Sequence, residues 1–572
     1  MYSFLQKLNS YPSWCLVFLS GILVGLTAPG RHTQLVGMIS LLPLFLVMDR
    51  ISASRKYTWR RKLGYILMAC WGTGSIAALI GVPWLTYAAR VFGQLSWPIA
   101  LLITGLGYGL EITLVLFVCF VLPILVIRQR GYLDLLIRLS YFLMVEPFCP
   151  RLFHWSFGGM TFTHFPWLPQ LADIIGSAGL GIYSIGFSLL LLLIWRWKVE
   201  QLPIPLKIIR RLVISYLILW TIGLTYGMCR IQFLDKRSNR GSLLHVASVQ
   251  PNFSFHQLAS NALDYSTRQR NIRELLEDSV HALGAFPADS PIPKLVIWPE
   301  STYPSPYFKD ISMQSLVKNF ARSQQASVLF HSIDWDENPL GRKFYGIALL
   351  IGPDGKVKGR YNKICRIPFG EYIPCADLCP LYANWIRNHI SNLSEFEKGK
   401  DFTVFHLSDD LLFSAPICFD VFSPRIIRNM SLNGAKLAIN LSNLIWFGRT
   451  NASDHLEMTI RWKAIEHRIP IFLTSNNGKS VFINALGKNI SEQLGLFEKG
   501  SLSHTISLEY HFSLYREYMV WVYAVFVLVF VAITVLGYKQ GKTSQRFLGK
   551  PVKQQETELN SPMDHYSPMS IP

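Results

Sequence analysis

The chain has 572 residues and a mass of 65.3 kDa, is 50% hydrophobic and only 16% charged, and has a mean hydropathy of +0.27. This apolar, aromatic-rich composition excludes an intrinsically disordered protein, which needs low hydrophobicity and few aromatics. The formal charge of +19 would suit a nucleic-acid-binding protein, but basic loops between membrane spans produce the same excess. The position of the charges therefore decides between these two classes.

The basic excess lies in the apolar first half of the chain. Residues 1–240 hold 22 Lys and Arg against 7 Asp and Glu, and residues 241–538 hold 28 against 26. Residues 539–572 hold 5 against 3. Because the excess accompanies the apolar segments, the sequence predicts a membrane protein and no nucleic-acid partner.

Crossing the hydrocarbon core takes about 20 mostly apolar residues as a helix. The sequence predicts about eight spans, near residues 13–29, 33–48, 63–82, 97–127, 137–157, 171–195, 209–228 and 518–537. Basic residues in short loops favour the cytoplasmic side. With both termini in the cytoplasm, the short outward loops carry only Arg31, Arg90 and Arg151, so we expect that orientation.

Four regions follow from this pattern. Residues 1–230 form a membrane domain of seven spans, and residues 241–510 form a domain outside the cytoplasmic membrane. Residues 518–537 form a final span, and residues 539–572 form a cytoplasmic tail that is basic and then polar. We expect this tail to be disordered, because it cannot bury enough apolar surface to fold.

The extramembrane region alternates short apolar runs with helix-like stretches, which predicts an α/β layered fold. We expect strands at Leu244–Val249, Leu295–Trp298, Ser327–Ser332, Gly346–Gly352, Thr403–Leu407, Leu411–Ile417, Lys436–Leu441, Ile471–Ser475 and Ser480–Asn484. We expect helices near 258–283, 311–325, 424–432 and 452–468.

Three reactive side chains follow predicted strands, where functional sites of α/β folds gather. Glu300 ends the run Leu-Val-Ile-Trp-Pro-Glu-Ser, Cys418 ends Phe-Ser-Ala-Pro-Ile-Cys, and Lys363 lies shortly after Gly346–Gly352. Each one alone is usually a core cysteine or a solvated charge. Together they suit acyl transfer, in which a thiolate attacks, a carboxylate takes its proton and an ammonium stabilises the oxyanion.

These segments resemble the three catalytic motifs of the nitrilase, or carbon–nitrogen hydrolase, superfamily: Trp298-Pro299-Glu300-Ser301, Tyr361-Asn362-Lys363 and Ile417-Cys418-Phe419. With membrane spans on both sides of that domain, the whole chain resembles the apolipoprotein N-acyltransferase family over about residues 10–538. Further matching segments are Pro368-Phe369-Gly370-Glu371-Tyr372, Asn440-Leu441-Ser442-Asn443 and Phe165-Pro166-Trp167-Leu168. The resemblance implies a polytopic helical membrane domain joined to a nitrilase-like αββα sandwich.

The resemblance also implies a mechanism. Glu300 would be the general base for Cys418, which would take an acyl chain from a membrane phospholipid as a thioester, and Lys363 would stabilise the oxyanion. The acceptor would be the N-terminal amine of a diacylglyceryl-modified cysteine in a lipoprotein. Glu371, Phe419 and Asp420 would support the site. No metal or other cofactor is implied, and we expect a monomer in a bacterial inner membrane with the catalytic domain in the periplasm.

Two observations keep alternatives open. The same Glu-Lys-Cys set would serve a membrane-tethered amidase that uses water as its acceptor. The family usually has glutamate at the position of Asp420, and the shorter side chain leaves room for a protein that binds lipoproteins without acylating them. Cys365, Cys375 and Cys379 flank the Pro-Phe-Gly-Glu loop and could be free or form a disulfide.

Overall fold

The structure is a computed structural model, and it describes residues 10–126, 131–149, 151–152, 156–236, 240–260, 264–338, 341–389 and 394–548. The apolar first half is helical, as its composition predicts. Its helices are Ser13–Leu26, Leu42–Ala53, Trp59–Gly81, Pro83–Val91, Trp97–Leu102, Gly109–Val126, Tyr132–Val145, Phe157–Phe162, Ala172–Gly179, Gly181–Lys198 and Leu206–Asp235.

Fewer helices than expected are long and apolar enough to cross a membrane. Among the described residues five qualify, or up to six if one pair bent by 69° counts as a single span. The five are Gln34–Ala53, Trp59–Gly81, Trp97–Val121, Leu206–Asp235 and Leu514–Lys539. Of the remaining expected spans, residues 13–29 and 137–157 give helices of only 14 residues, Ser13–Leu26 and Tyr132–Val145. The expected count of about eight is therefore not confirmed.

The final helix runs over Leu514–Leu548 and so continues beyond the span that the sequence predicts. Residues 539–548, expected to begin a disordered tail, form its last turns. Residues 549–572 lie outside the described residues, so the expected disorder of the tail stays a prediction.

One buried cluster of charges joins three helices of the apolar first half, Leu42–Ala53, Tyr132–Val145 and Gly181–Lys198. We call it the membrane ion cluster: Asp49, Asp134, Arg138 and Arg196, none more than 3% exposed at its side chain. The Arg196 Nε lies 2.5 Å from an Asp49 oxygen, and its Nη1 lies 2.7 Å from an Asp134 oxygen. Arg138 bonds both aspartates as well, so two positive and two negative groups pair completely.

The extramembrane region contains two β-sheets. The six-stranded sheet has the order β11-β1-β2-β3-β4-β5 and the five-stranded sheet the order β10-β9-β8-β7-β6. The strands are β1 Ser242–Gln250, β2 Lys294–Ile297, β3 Ala326–Asn338, β4 Gly341–Ile351, β5 Val357–Asn362, β6 Phe405–His406, β7 Leu412–Ser414, β8 Leu437–Ser442, β9 Ile471–Ser475, β10 Val481–Ile483 and β11 Gly500–Leu508. The inner pairs β1/β2, β2/β3, β7/β8 and β8/β9 are parallel.

Successive side chains of a strand point to opposite faces of its sheet, and this alternation produces the layers of this region. On β1, Val246 faces an apolar cluster shared by both sheets, whereas Ala247 faces a second cluster under the outer helices. The helices Tyr265–Leu283 and Ile311–Gln324 cover the larger sheet, and Ile426–Leu432 and Ala452–His467 cover the smaller one. The result is the αββα sandwich that the resemblance implied.

Three elements were missing from the sequence prediction. β5 and β11 are polar or serine-rich (Val-Lys-Gly-Arg-Tyr-Asn and Gly-Ser-Leu-Ser-His-Thr-Ile-Ser-Leu), because each lies at a sheet edge and is only partly buried. The helix Pro380–His389 and its surroundings are largely exposed, so no apolar stripe marks it. The short helix Phe255–Ser260 precedes Tyr265–Leu283, where the sequence predicted one continuous helix.

The helix Ala452–His467 connects the αββα sandwich to the helices of the apolar first half. At its start Asn451 donates to the carbonyl oxygen of Gly81, at 3.0 Å. At its end the buried Arg468 donates to a carboxylate oxygen of Asp173 at 2.8 Å and to the amide oxygen of Gln170 at 2.7 Å. Because both ends are anchored, the face of the sandwich that carries the strand ends is held next to the membrane helices.

Candidate active site

Cys418 lies where the chain leaves the smaller sheet. After β7, Ile417 still bridges Leu441 of β8, and the 3-10 turn Cys418–Phe422 begins at the next residue. Cys418 has φ of +44°, a left-handed conformation that costs free energy in a non-glycine residue and that clusters at functional sites. Its side chain is 4% exposed and belongs to the apolar cluster between the sheets. The turn therefore aims a thiol into the interior.

Glu300 approaches the same point from the larger sheet. It follows β2 in the turn Trp298-Pro299-Glu300-Ser301, and Ser301 has a left-handed φ of +64°. The carboxylate is buried, and its Oε2 accepts the backbone N–H of Asn443 at 3.0 Å. The second oxygen thus remains available for a neighbouring ammonium.

Lys363 supplies that ammonium. It directly follows β5, and its backbone N–H bonds the carbonyl oxygen of Gly346 on β4 at 2.9 Å. Its Nζ donates to Glu300 Oε1 at 3.1 Å and to Glu371 Oε1 at 2.6 Å. The other Glu371 oxygen accepts the Ile367 N–H at 2.9 Å, which fixes this carboxylate beneath the lysine. Glu300 and Lys363 also interact with Cys418, so the three expected catalytic residues and Glu371 meet in one cluster.

The charges of this cluster do not balance, because two carboxylates share one ammonium. Burial raises the pKa of Glu300 above its usual value, and the Lys363 ammonium opposes that rise. Burial would lower the pKa of Lys363, but the two carboxylates outweigh it and hold the pKa well above its usual value. Burial, and then the Glu300 charge, raise the pKa of the Cys418 thiol well above its usual value. The resting site is thus a neutral thiol beside a carboxylate base.

Asp420 ties the nucleophile turn to the lysine loop. One carboxylate oxygen accepts the Cys365 N–H at 2.7 Å, and the other accepts the Ile417 N–H at 2.8 Å and the Tyr361 hydroxyl at 2.7 Å. Burial raises the pKa of Asp420 to about 6. The shorter aspartate side chain therefore still reaches three donors in this chain. Phe419 is buried beside it, with its ring centroid 5.2 Å from that of Phe422.

Two further polar residues at the site carry no role in the sequence analysis. His331 of β3 accepts the Ser301 N–H at 3.2 Å, and burial beside Lys363 lowers its pKa to about 3, so the ring is neutral. Asn443 gives Glu300 its backbone donor. A histidine inside an apolar strand was a visible signal for the first. The second lay in a motif that the sequence analysis quoted without assigning a function.

Metal-ligand chemistry has no candidate among the residues described. Within those ranges, no group of three or more His, Cys, Asp and Glu side chains is arranged to hold a metal ion. The loop cysteines Cys365, Cys375 and Cys379 are free thiols in the structure.

The αββα sandwich, with Cys418, Glu300 and Lys363 gathered in its interior, belongs to the carbon–nitrogen hydrolase class. A family model described as carbon-nitrogen hydrolase matches residues 245–514, and one described as apolipoprotein N-acyltransferase N-terminal domain matches residues 20–190. The chain belongs to the apolipoprotein N-acyltransferase family.

Two named relatives of similar length support this membership. The chain is 26% identical to the apolipoprotein N-acyltransferase of Geobacter metallireducens, with 88% of this chain and 91% of the relative covered. It is 22% identical to that of Borreliella burgdorferi, with the same two coverages, 88% and 91%. Among solved structures it is similar to Saccharomyces cerevisiae Nit3, at 17% identity and a TM-score of 0.34, over 46% of this chain and 90% of that one.

Proposed function

We propose that this acyltransferase moves an acyl chain from a membrane phospholipid to the N-terminal amine of diacylglyceryl-cysteine in apolipoproteins, through a thioester on Cys418. The single observation that carries the mechanism is the buried contact set of Lys363 with Glu300 and Glu371 beside the Cys418 thiol. The relatives named for this reaction cover both the membrane helices and the catalytic region, which supports two lipid substrates rather than a soluble amide.

The first half-reaction begins with a proton transfer. Glu300 takes the thiol proton as Cys418 Sγ attacks the ester carbonyl carbon, and the carbonyl oxygen becomes an oxyanion that the Lys363 ammonium stabilises. The carbon–oxygen bond to glycerol then breaks. The proton on Glu300 goes to the leaving alkoxide, so lysophospholipid departs and the acyl group stays on sulfur.

The second half-reaction reverses the roles. The free amine of the lipoprotein's terminal cysteine attacks the thioester carbonyl carbon, and Glu300 accepts a proton from that amine. The carbon–sulfur bond breaks, the proton on Glu300 goes to the departing sulfur of Cys418, and an amide is left on the lipoprotein. Glu371 holds Lys363 in place, at 2.6 Å, and its charge contributes to the raised pKa of Glu300.

The location that we propose follows from the charge pattern. The protein would lie in a bacterial inner membrane, with both termini in the cytoplasm and the catalytic region in the periplasm, working as a monomer. Outward loops poor in Lys and Arg support this orientation. A cysteine-scanning label applied to intact cells tests it, because exposed Cys375 and Cys379 should then react from outside.

Mass spectrometry of a lipoprotein N-terminus tests the function. Cells that carry only the Cys418→Ala form should yield lipoproteins lacking one acyl chain. Wild-type protein given phospholipid without acceptor should gain the mass of one acyl chain on Cys418. Full turnover by Cys418→Ser would contradict the mechanism. Amide hydrolysis that needs no lipid would instead identify the membrane-tethered amidase.

A further inference from the structure

A histidine lies between the two strand ends that carry the catalytic base and the catalytic lysine. His331 is on β3, where it pairs with Ala348 of β4 and follows Leu329 by two residues. Both neighbours belong to the apolar cluster between the sheets, so the imidazole points into the sandwich as well. The residue is 7% exposed. A buried imidazole in an apolar strand needs hydrogen-bond partners, and the partner that it has lies at the active site.

The partner is the turn that carries Glu300. His331 Nδ1 accepts the backbone N–H of Ser301, the next residue after Glu300, at 3.2 Å. Ser301 has a left-handed φ of +64°, which is strained in a non-glycine residue and persists only where its surroundings hold it. Loss of this acceptor would leave the Ser301 N–H without its partner in a strained turn. His331 therefore helps to fix the backbone of the base.

The next residue of β3 holds a more distant part of the same loop. The Ser332 hydroxyl accepts the Tyr307 N–H at 3.0 Å and donates to the Ser305 carbonyl oxygen at 3.1 Å. Ser332 points to the opposite face of the strand, because successive side chains of a strand alternate. Two successive residues of β3 thus hold the loop, but of these two His331 alone bonds the turn next to the base.

The far edge of the ring lies near Lys363. An added Cβ on Gly346 of β4 would lie 3.3 Å from His331 Nε2 and 3.9 Å from the Cβ and Cδ of Lys363. The ring and the lysine stem thus lie over the same glycine, where a side chain would crowd the ring. From there the Lys363 Nζ reaches Glu300 Oε1, at 3.1 Å. His331 therefore bonds the turn of the base and adjoins the residue with which the base pairs.

His331 adds a hydrogen-bond acceptor to the site without adding a charge. Burial and the Lys363 ammonium lower the pKa of the ring to about 3, so the ring is already neutral at the pH where Glu300 ionises. Because Nδ1 accepts, the proton of the neutral ring lies on Nε2. The titratable groups that act on Glu300 are Lys363, Glu371 and Cys418. The charge that acts on the His331 ring is that of Lys363.

We propose that His331 is a positioning residue for acyl transfer: its neutral ring holds the turn after Glu300, so that the carboxylate stays against the Lys363 ammonium. The inference rests on the proposed function, in which Glu300 is the base for Cys418. If the turn relaxes, the carboxylate moves away from the ammonium. Lys363 opposes the rise in the pKa of Glu300, so that pKa should then rise further. A role in folding alone predicts no such change.

Removing the acceptor from the ring tests this role in the full-length protein. His331→Phe keeps an aromatic ring but has no Nδ1. We expect the rate constant of thioester formation from phospholipid to fall about tenfold, while KM changes by less than about twofold. On the acid side of the pH–rate profile, the midpoint should rise by about one unit. A wild-type rate constant, or an unmoved midpoint, would overturn the proposal.

Two amide variants show whether the acceptor is the cause. His331→Asn places its amide close to the position of Nδ1 and should recover most of the rate and the midpoint. His331→Gln places its amide near the position of Nε2 and should recover neither. Equal behaviour of the two variants, or recovery by His331→Gln alone, would contradict the proposal. Since both variants bury one amide, this comparison remains valid if His331→Phe fails to fold.

Ser332→Ala is the matched control, because it loosens the same loop from the same strand. It leaves the Tyr307 N–H without this acceptor and should lower the midpoint of thermal unfolding. The pH midpoint of thioester formation should stay at the wild-type value. A pH shift as large as that of His331→Phe would mean that any loosening of the loop moves the base, and would overturn the specific role of His331.

Alkylation of Cys418 separates this inference from the proposed function. Iodoacetamide labelling of Cys418, measured by peptide mass spectrometry across the pH range, depends on the same base and needs no lipid. Its midpoint should rise by about one unit in His331→Phe, as for thioester formation. An unmoved midpoint would contradict the inference alone. Absence of any thioester in the wild type would contradict the proposed function and leaves the labelling result standing.

Discussion

Two buried clusters of charge, one in each half of the molecule, have opposite character. In the membrane ion cluster, two arginines and two aspartates pair completely, and all four side chains are at most 3% exposed. In the catalytic cluster, one lysine serves two glutamates beside a thiol. The first has no unpaired charge, whereas the second has one negative charge in excess.

The difference separates a structural cluster from a reactive one. In a fully paired set, the attraction between the charges offsets the cost of removing them from water, and the set holds its helices together. Removing one member leaves an uncompensated buried charge. In the catalytic cluster, burial is the first cause that raises the pKa of Glu300 and of Cys418, and the like charge of a neighbouring carboxylate adds to the rise. Sequence position alone would not distinguish them, since both are built from ordinary Asp, Glu, Lys and Arg.

The largest expected effect comes from removing the excess charge. Glu300→Gln keeps the shape of the side chain but cannot accept the Cys418 proton, so thioester formation should fall by about 10²–10⁴-fold. The amide oxygen can still accept from Lys363, but the amide NH₂ then faces the Asn443 N–H, so the midpoint of thermal unfolding should fall modestly. Release of lysophospholipid measures the first effect. Near-normal release would mean that another group is the base.

The matching change in the membrane ion cluster should act on stability. Asp49→Ala leaves Arg138 and Arg196 with one carboxylate, and we expect a loss of about 3–5 kcal/mol in the free energy of unfolding. The folded fraction should keep a normal rate per molecule. Chemical denaturation in detergent measures the loss.

A double variant tests whether unpaired charge causes the loss of stability in Asp49→Ala. Asp49→Leu with Arg196→Leu leaves one arginine and one aspartate, so it should recover much of the stability. If it is no more stable than Asp49→Ala, packing rather than charge pairing explains the loss.

Most of the fold could be predicted because apolar runs mark what is buried. The strands Leu295–Trp298 and Ile471–Ser475 were expected, and each lies inside its sheet with a neighbouring strand on both sides. β5 and β11 were not, because edge strands need little apolar surface and so carry little signal. The expected span count is not confirmed, for a related reason. An apolar segment such as Ser13–Leu26 does not reveal how many of its residues become helical.

The site residues that lie in family motifs could be predicted from the sequence. Glu300, Lys363 and Cys418 follow three separate strands, and only the resemblance indicated that these strands converge. Two residues that reach the site only because of the spatial arrangement of the strands were not predicted. The neutral His331 beside Lys363 and the Asn443 N–H on Glu300 depend on which strands are neighbours in space. The contact between Asn443 and Glu300 spans 143 residues and leaves no local pattern in one sequence, whereas His331 was marked only as a histidine inside an apolar strand.

A smaller effect should follow at Asp420, which pairs no charge but accepts three hydrogen bonds. Asp420→Ala leaves the Tyr361 hydroxyl and two buried N–H groups without an acceptor, so the free energy of unfolding should fall by about 1–3 kcal/mol. Asp420→Asn retains one acceptor oxygen and should lose less. Dividing kcat/KM by the folded fraction of each variant separates the effect on catalysis from the loss of folded protein. Equal stability of both variants and the wild type would show that these bonds contribute nothing.

The smallest expected effect is a shift in pH dependence, and it tests the charge excess itself. Glu300 must be ionised to act as base, and its pKa is raised above 4.5, so kcat/KM should fall with decreasing pH at a midpoint above 4.5. A raised pKa in the folded state means that protonation of Glu300 favours folding. Its stabilising contribution is full below pH 4.5 and is lost as pH rises through the raised value. Loss of activity in acid is therefore not unfolding caused by Glu300. The Glu371 charge is one cause of that rise, so Glu371→Gln should move the midpoint to lower pH. An unmoved midpoint would show that burial alone sets the proton affinity of the base, and that the excess charge has no catalytic consequence.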